Sequence, residues 1–291
     1  MPEEGWLMRY TLTLPEPRQH RYWLVETASL PENEVLRRFY ATVQQPMFRW
    51  LYDGTAYQAV RDSGPVLLDI TQDASVWHQF SAEWAGKAAS VVIDTSESLD
   101  DLHRRLAICI TINTRGNGVG LLRFHEPAAL HLLLGEEMLS LDNRVALMGE
   151  SVCWSWVLCQ SQGGIVYEHY CSPKSVNNMD IAGRTALRLE DVTQQRLSSL
   201  THFSRLMPVL GKAIYRFNLL PRQVEITLLW SSLERYWHAT WQSRLPRKQV
   251  VENALGMLAS SNALEHFIET LSLDAMRWHN KGHRNVSEPP V

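Results

Sequence analysis

GLLRFHEPAALHLLL, residues 120–134, joins one apolar run to another through an arginine, a histidine, a glutamate and a proline. Read locally, it turns a strand into a helix. The strand covers residues 119–124, with Arg123 near its end. Glu126 takes the N-cap, and Pro127 the first helical position, where the missing N–H has no partner to lose. A carboxylate there meets free amide N–H groups and the positive end of the helix dipole, a gain of about 0.5–1 kcal/mol. Arg123, if buried, needs an acid, and Glu126 or Asp69 can supply one. Leu130, Leu133 and Leu134 then form the buried face. The segment reads as architecture rather than catalysis.

Upstream, strands and helices alternate. RYWLV (21–25) is a strand, followed by a helix with Leu36, Phe39, Tyr40 and Val43 on one face. GPVLLDIT (64–71) is a second strand, then a helix is expected over 74–85, and SVVID (90–94) is a third strand. In SLDDLHRRLAI, Ser98 and Asp101 stand at capping-box spacing, and Leu99, Leu102 and Leu106 recur on one face. A Gly116-Asn117-Gly118 turn leads into the strand of the quoted segment. Downstream, SVCWSWVLCQ and GIVYEHYC flank a Ser-Gln-Gly-Gly turn and predict a β-hairpin. The expected fold is an α/β lobe, a mixed sheet covered by helices, over residues 1–173. A polar linker (174–184), an all-α lobe (185–280) and a disordered tail (281–291) follow. The helices of the second lobe are placed near 189–217, 221–244, 248–258 and 263–278. Asn262 and Glu265 make a capping box for the last, whose stripe is Leu264, Phe267, Ile268 and Leu271.

The net charge of −3 hides an asymmetry. Residues 1–173 hold 13 Lys/Arg against 21 Asp/Glu, hence −8, and residues 174–291 hold 15 against 10, hence +5. One acidic half and one basic half suggest two lobes that face different partners, or each other. The basic residues are dispersed, without the dense stripe of a nucleic-acid site. No apolar run approaches the ~18 residues of a membrane span. MPEEGWLMRY lacks a basic segment followed by an apolar one, so no secretory signal is expected. The four cysteines show no C-x-x-C pair and are expected as free thiols in a reducing, cytoplasmic setting.

Motifs that carry chemistry are missing. His125 and His131 are six residues apart with Pro127 between them, whereas a zinc-protease helix needs two His one turn apart. There is no G-x-S-x-G elbow and no phosphate loop, and the Gly116–Gly118–Gly120 run precedes a strand rather than a helix. The expectation is no catalytic residue, no metal and no cofactor. A hydrolase or transferase whose site is assembled from distant residues is the alternative, as is an immunity or inhibitor protein.

LLRFHEPAAL resembles the Arg-aromatic-aromatic-Asp-Pro-x-x-Leu signature of the adaptor, or chaperone, proteins that load effectors onto the spike of type VI secretion systems. His125 replaces the second aromatic, and Glu126 the Asp. GTAYQAVRDSGPVLLDI, IDTSESLDDLHRRL and LDNRVALMGE resemble, in order, that family's Gly-Pro strand start, its Ser/Leu-rich helix and its short helix with a following glycine. The resemblance covers roughly residues 22–150. It implies a non-enzymatic cytoplasmic adaptor that binds a secreted effector and the C-terminal part of a spike protein. Gly64, Pro65, Arg123, Phe124, Glu126, Pro127 and Leu130 are its structural signature. In the second lobe, Trp230, Leu233, Trp237 and Trp241 share one helical face. That face is either core or a groove for a partner helix.

Overall fold

The computed structural model describes residues 7–11, 13–14, 19–72, 84, 87–114, 118–149, 151–161, 164–171, 187–219, 226–241, 245–261 and 263–284. The chain divides into two compact units, Met1–Thr193 and Gln194–Val291. The expected linker at 174–184 lies outside the described residues.

The first unit is built on a seven-stranded sheet. Its strands are β1 (Leu7–Thr11), β2 (His20–Glu26), β3 (Phe48–Trp50), β4 (Pro65–Asp69), β5 (Ser90–Thr95), β8 (Ser151–Ser161) and β9 (Gly164–Cys171). They lie in the order β1-β9-β8-β5-β2-β4-β3, and each neighbouring pair is antiparallel. β2 is an interior strand whose Tyr22–Val25 run is buried on both faces, which is why that run reads as continuously apolar. Alternation sends Trp23 and Val25 to one face, where they join Val66, Leu68 and Val92 beneath Val35 and Phe39 of α1 (Glu34–Thr42). The other face carries a row of registered neighbours, Tyr22, Ile93, Trp154 and Tyr170, all buried. The helix expected over 74–85 lies outside the described residues apart from Trp84, which is helical and stacks on Trp23.

α2 (Leu99–Cys109) starts as its sequence predicts: the Ser98 hydroxyl accepts the Asp101 N–H at 3.2 Å, and Leu99, Leu102 and Leu106 are buried. α3 (Pro127–Leu130) continues as a π-turn over His131–Gly135 and packs on β8, and α4 (Leu141–Met148) packs on α2. The strand expected over 119–124 is shorter. β7 (Gly118–Leu121) pairs with β6 (Thr111–Thr114) in a separate two-stranded sheet. Its residues are two glycines, a 68% exposed Val119 and an exposed Leu121, so it has no apolar face to bury. The hairpin of β8 and β9 forms as predicted. Its register places Cys153 opposite Cys171, and the two form a disulfide, correcting the expectation of free thiols. Spacing in the sequence could not show this, because the register shifts between Val157 and Cys159, and that shift is what brings Cys153 opposite Cys171. Cys109 is a buried thiol outside this bridge.

The second unit is helical: α5 (Asp191–Arg216, begun just before the division), α6 (Ile226–Ala239), α7 (Arg247–Ser260) and α8 (Leu264–Arg284). α8 runs through Lys281–Arg284, where a tail was expected; residues 285–291 lie outside the description, as does Asn262. Phe203, Ile214, Leu233, Trp237, Ala254, Leu258, Phe267 and Leu271 share one core, so the stripe predicted for α8 faces inward. Met1–Thr193 carries 16 Lys/Arg against 24 Asp/Glu and Gln194–Val291 carries 12 against 7, so the units are −8 and +5.

Candidate functional site

The signature residues meet at one end of the sheet. Glu126 is the N-cap of α3 and Pro127 its first residue, as predicted, and the Glu126 carbonyl accepts the Leu130 N–H at 2.9 Å. The Glu126 carboxylate makes no cap hydrogen bond. It binds Arg123 Nε at 2.9 Å instead, so the capping role expected of the side chain is replaced by an ion pair. The second partner of Arg123 is Glu26, whose Oε2 accepts from the guanidinium at 2.8 Å. Asp69, the other expected candidate, receives the Thr71 N–H and takes no part.

Glu26 ends β2, is 4% exposed, and lies on the face of Tyr22 and Leu24 by alternation. It also accepts His125 Nε2 at 3.0 Å and the Ala28 N–H at 3.3 Å. Burial alone would raise its carboxyl pKa. The hydrogen bond from His125 and the charges of His125 and Arg123 outweigh burial and hold it below the usual carboxylate range. His125 is 1% exposed, and its Nδ1 has no partner among the described residues. The imidazole is therefore oriented by a carboxylate, as a general base would be, but among the described residues its far nitrogen bonds no hydroxyl or thiol. Phe124 is fully buried against Trp154, with ring centroids 5.8 Å apart, and Leu130 is fully buried behind it.

Glu26 also ties in the Gly-Pro motif, because it stands opposite Pro65 in the β2–β4 pair. Pro65 opens β4, where a residue without an N–H is tolerated. The Gly64 carbonyl accepts the Thr27 hydroxyl at 2.9 Å. A Cβ on Gly64 would lie 2.5 Å from two ring carbons of Tyr52, so only glycine fits beneath that ring. Burial, then the nearby Glu26, pushes the Tyr52 phenol pKa up. Gly64 and Pro65 thus share one ionic and steric frame with Arg123 and Glu126, 58 or more residues further along the chain.

The helix after the signature is held by a second buried carboxylate. Glu168 of β9 is fully buried and accepts Trp156 Nε1 at 2.8 Å and His131 Nδ1 at 2.8 Å. The two histidines that fail zinc-helix spacing therefore dock on two different acids of the sheet, one before α3 and one at its end. Among the described residues no group of three His, Cys, Asp or Glu is placed to hold a metal ion.

A third frame joins α2 to α4. Arg105, 5% exposed, binds Glu97 through Nε at 2.8 Å and also donates to the Leu147 carbonyl. Gly149 follows α4 with φ +55°, and a Cβ there would lie 2.4 Å from Arg105 Nε. This accounts for the glycine after LDNRVALM. Sequence reading missed Glu26, Arg105 and Glu97. The usable signal for Glu26 was its phase: a charged residue on the same alternation as the buried Tyr22 and Leu24.

The stripe of α6 lies in or against the core of the helical unit. Leu233 and Trp237 are 3% and 6% exposed in the core of the helical unit, and Trp230 and Trp241 pack half-buried against it. Trp237 Nε1 donates to the Ser199 carbonyl at 3.1 Å. Arg247 lies over the Trp237 and Trp241 rings and donates to the Thr240 and Trp241 carbonyls, closing the end of α6.

Every signature residue named above lies within one conserved-domain match. Residues 21–145 match the family described as Domain of unknown function (DUF4123). The DUF4123 match runs from β2 to α4, within a few residues of the stretch on which the resemblance rests. It therefore contains Glu26, Gly64, Arg105 and the Arg123–Pro127 turn, while Gly149 and Glu168 lie beyond it. No curated protein and no solved structure matches the chain.

Proposed function

We propose that this chain is a cytoplasmic adaptor that binds a type VI secretion effector and presents it to the C-terminal part of a spike protein. The observation that carries the reading is that the adaptor-like signature, the Gly-Pro motif and the DUF4123 match coincide on one frame, the Glu26–Arg123–Glu126 bracket. Such a frame suits a scaffold: its charged groups are directed at one another and hold α3 to the sheet. The opposite charges of the two units suit simultaneous contact with two partners. No described helix is long and apolar enough to cross a membrane.

The test is affinity capture of the tagged full chain from its native cells, read by mass spectrometry and paired with deletion of its gene. The adaptor reading expects one large effector recovered with a spike subunit, and loss of export of that effector alone. Recovery of neither, from cells shown to express the secretion apparatus, overturns it. Protection of neighbouring cells from the effector would favour an immunity protein instead.

A further inference from the structure

α6 and α8 pack together but leave an open groove of about 490 Å³ along their shared side. Ser232, Tyr236 and Ala239 line it from α6, and Ile268, Leu271 and Ala275 from α8. On both helices the lining residues recur at intervals of three or four over two turns, a length of roughly 11 Å. Small side chains at Ser232, Ala239 and Ala275 leave the depression, while Met276 stands at its rim, 62% exposed. The Trp stripe faces the core, so this groove is a different surface of the same helix.

One charged residue lines the groove, Arg235. It is exposed, and its polar contact is a long one, 3.4 Å to the Ser232 hydroxyl. No carboxylate pairs with it among the described residues. An apolar trough two helical turns long, with a solvent-facing guanidinium at its side, complements one kind of ligand. That ligand is a short helix with apolar residues at i, i+3 or i+4 and i+7, and an acidic residue flanking them. The net charge of +5 on this unit favours the same acidic partner.

We propose that the α6–α8 groove binds an acidic amphipathic helix of a partner protein, its carboxylate on Arg235. This rests on the adaptor reading only in taking that partner to be the effector. The probe is a displayed library of helix-forming peptides about 14 residues long, selected on the full chain. Affinities of the selected peptides are then measured by fluorescence anisotropy. Enriched peptides are expected to share the apolar spacing with a flanking Asp or Glu. Arg235→Glu should weaken them at least about tenfold, and changing the peptide acid to Lys should restore binding to that variant. Ser272→Trp, an exposed position on the groove wall, should abolish binding without altering the thermal transition. Failure to enrich any peptide, or equal affinity for both variants and the natural chain, overturns the groove. If Ser272→Trp still captures the effector in cells, the groove falls and the adaptor reading stands. Peptides that bind as described by a chain that captures no effector leave the groove standing and remove the adaptor.

Discussion

Glu26 and Arg123, 97 residues apart in the chain, meet at 2.8 Å where β2 ends and the turn into α3 begins. The Glu26 side chain is 6% exposed and that of Arg123 46%, so the acid is buried and the base reaches it from the surface. His125 completes the shell from the buried side. Removing the acid leaves His125 desolvated without its acceptor, whereas Arg123 can turn to water.

Glu26→Gln should therefore destabilise the fold by about 1–3 kcal/mol at neutral pH. The folded-state pKa of Glu26 lies below its unfolded value, so its stabilisation is complete above the unfolded pKa and fades as pH falls through the folded one. Urea titrations of both proteins should show a constant gap above roughly pH 5 that narrows in acid. A gap independent of pH would mean that the charge of Glu26 is not what holds the turn.

Two glycines with positive φ separate conformation from contact. Gly54 (φ +71°) has nothing within 4 Å of a built Cβ, whereas at Gly149 (φ +55°) the Cβ meets Arg105. Gly54→Ala should cost about 1 kcal/mol, the backbone penalty alone. Gly149→Ala should cost about 2–4 kcal/mol, because Arg105 must also leave Glu97 and Leu147. Equal values from denaturant unfolding would show that Arg105 gives way freely.

Trp237→Ala should cost about 3–5 kcal/mol by removing a core side chain and orphaning the Ser199 carbonyl. Trp237→Phe should retain most of the packing and lose about 1 kcal/mol with the indole hydrogen bond. Calorimetry of the full chain checks both, and a stable Trp237→Ala protein would move this side chain from core to partner surface.

Non-reducing peptide mapping should recover Cys153 linked to Cys171, with Cys109 alkylated only after denaturation. The bridge closes a loop between residues 18 apart, so Cys153→Ser should lower stability by about 3 kcal/mol in the absence of reductant. Under strong reductant the two proteins should converge. If the natural chain is fully alkylated without reductant, the bridge does not form in solution.

Burial, with Arg196 adding to it, lowers the pKa of His238 to about 4. The unfolded chain binds this proton more readily, so stability contributed by neutral His238 is present above pH 6.5 and lost between about pH 6.5 and 4. His238→Gln should flatten that part of the pH–stability curve. NMR titration of the imidazole gives the pKa directly, and a midpoint near 6.5 would contradict the burial.

Patterns of short range were legible in the sequence. The Ser98 cap, the N-cap and N1 positions of Glu126 and Pro127, the β8–β9 hairpin and the apolar stripe of α8 each follow from residues within a turn or two of one another. β7 misled for the opposite reason: its apolar letters are two exposed side chains and two glycines, and hydropathy does not distinguish a strand with a buried face from one without. The candidate site was half legible. Arg123 announced a need for an acid, but the candidates read from the sequence were Glu126 and Asp69, and the decisive one was 97 residues upstream.

The sequence by itself determined the strands β2, β4, β5, β8 and β9 and most of the helices, where the signature turn lies, and that the chain changes from α/β to all-α. These depend on periodicity, caps and turn residues, which act locally. Only the tertiary structure decided that Glu26 closes on Arg123 and His125, that Glu168 takes His131, that Cys153 faces Cys171, and that the tryptophans of α6 turn inward. Each of these is a meeting of residues across strands or helices, fixed by register and packing, and the spacing along the chain carries no record of it.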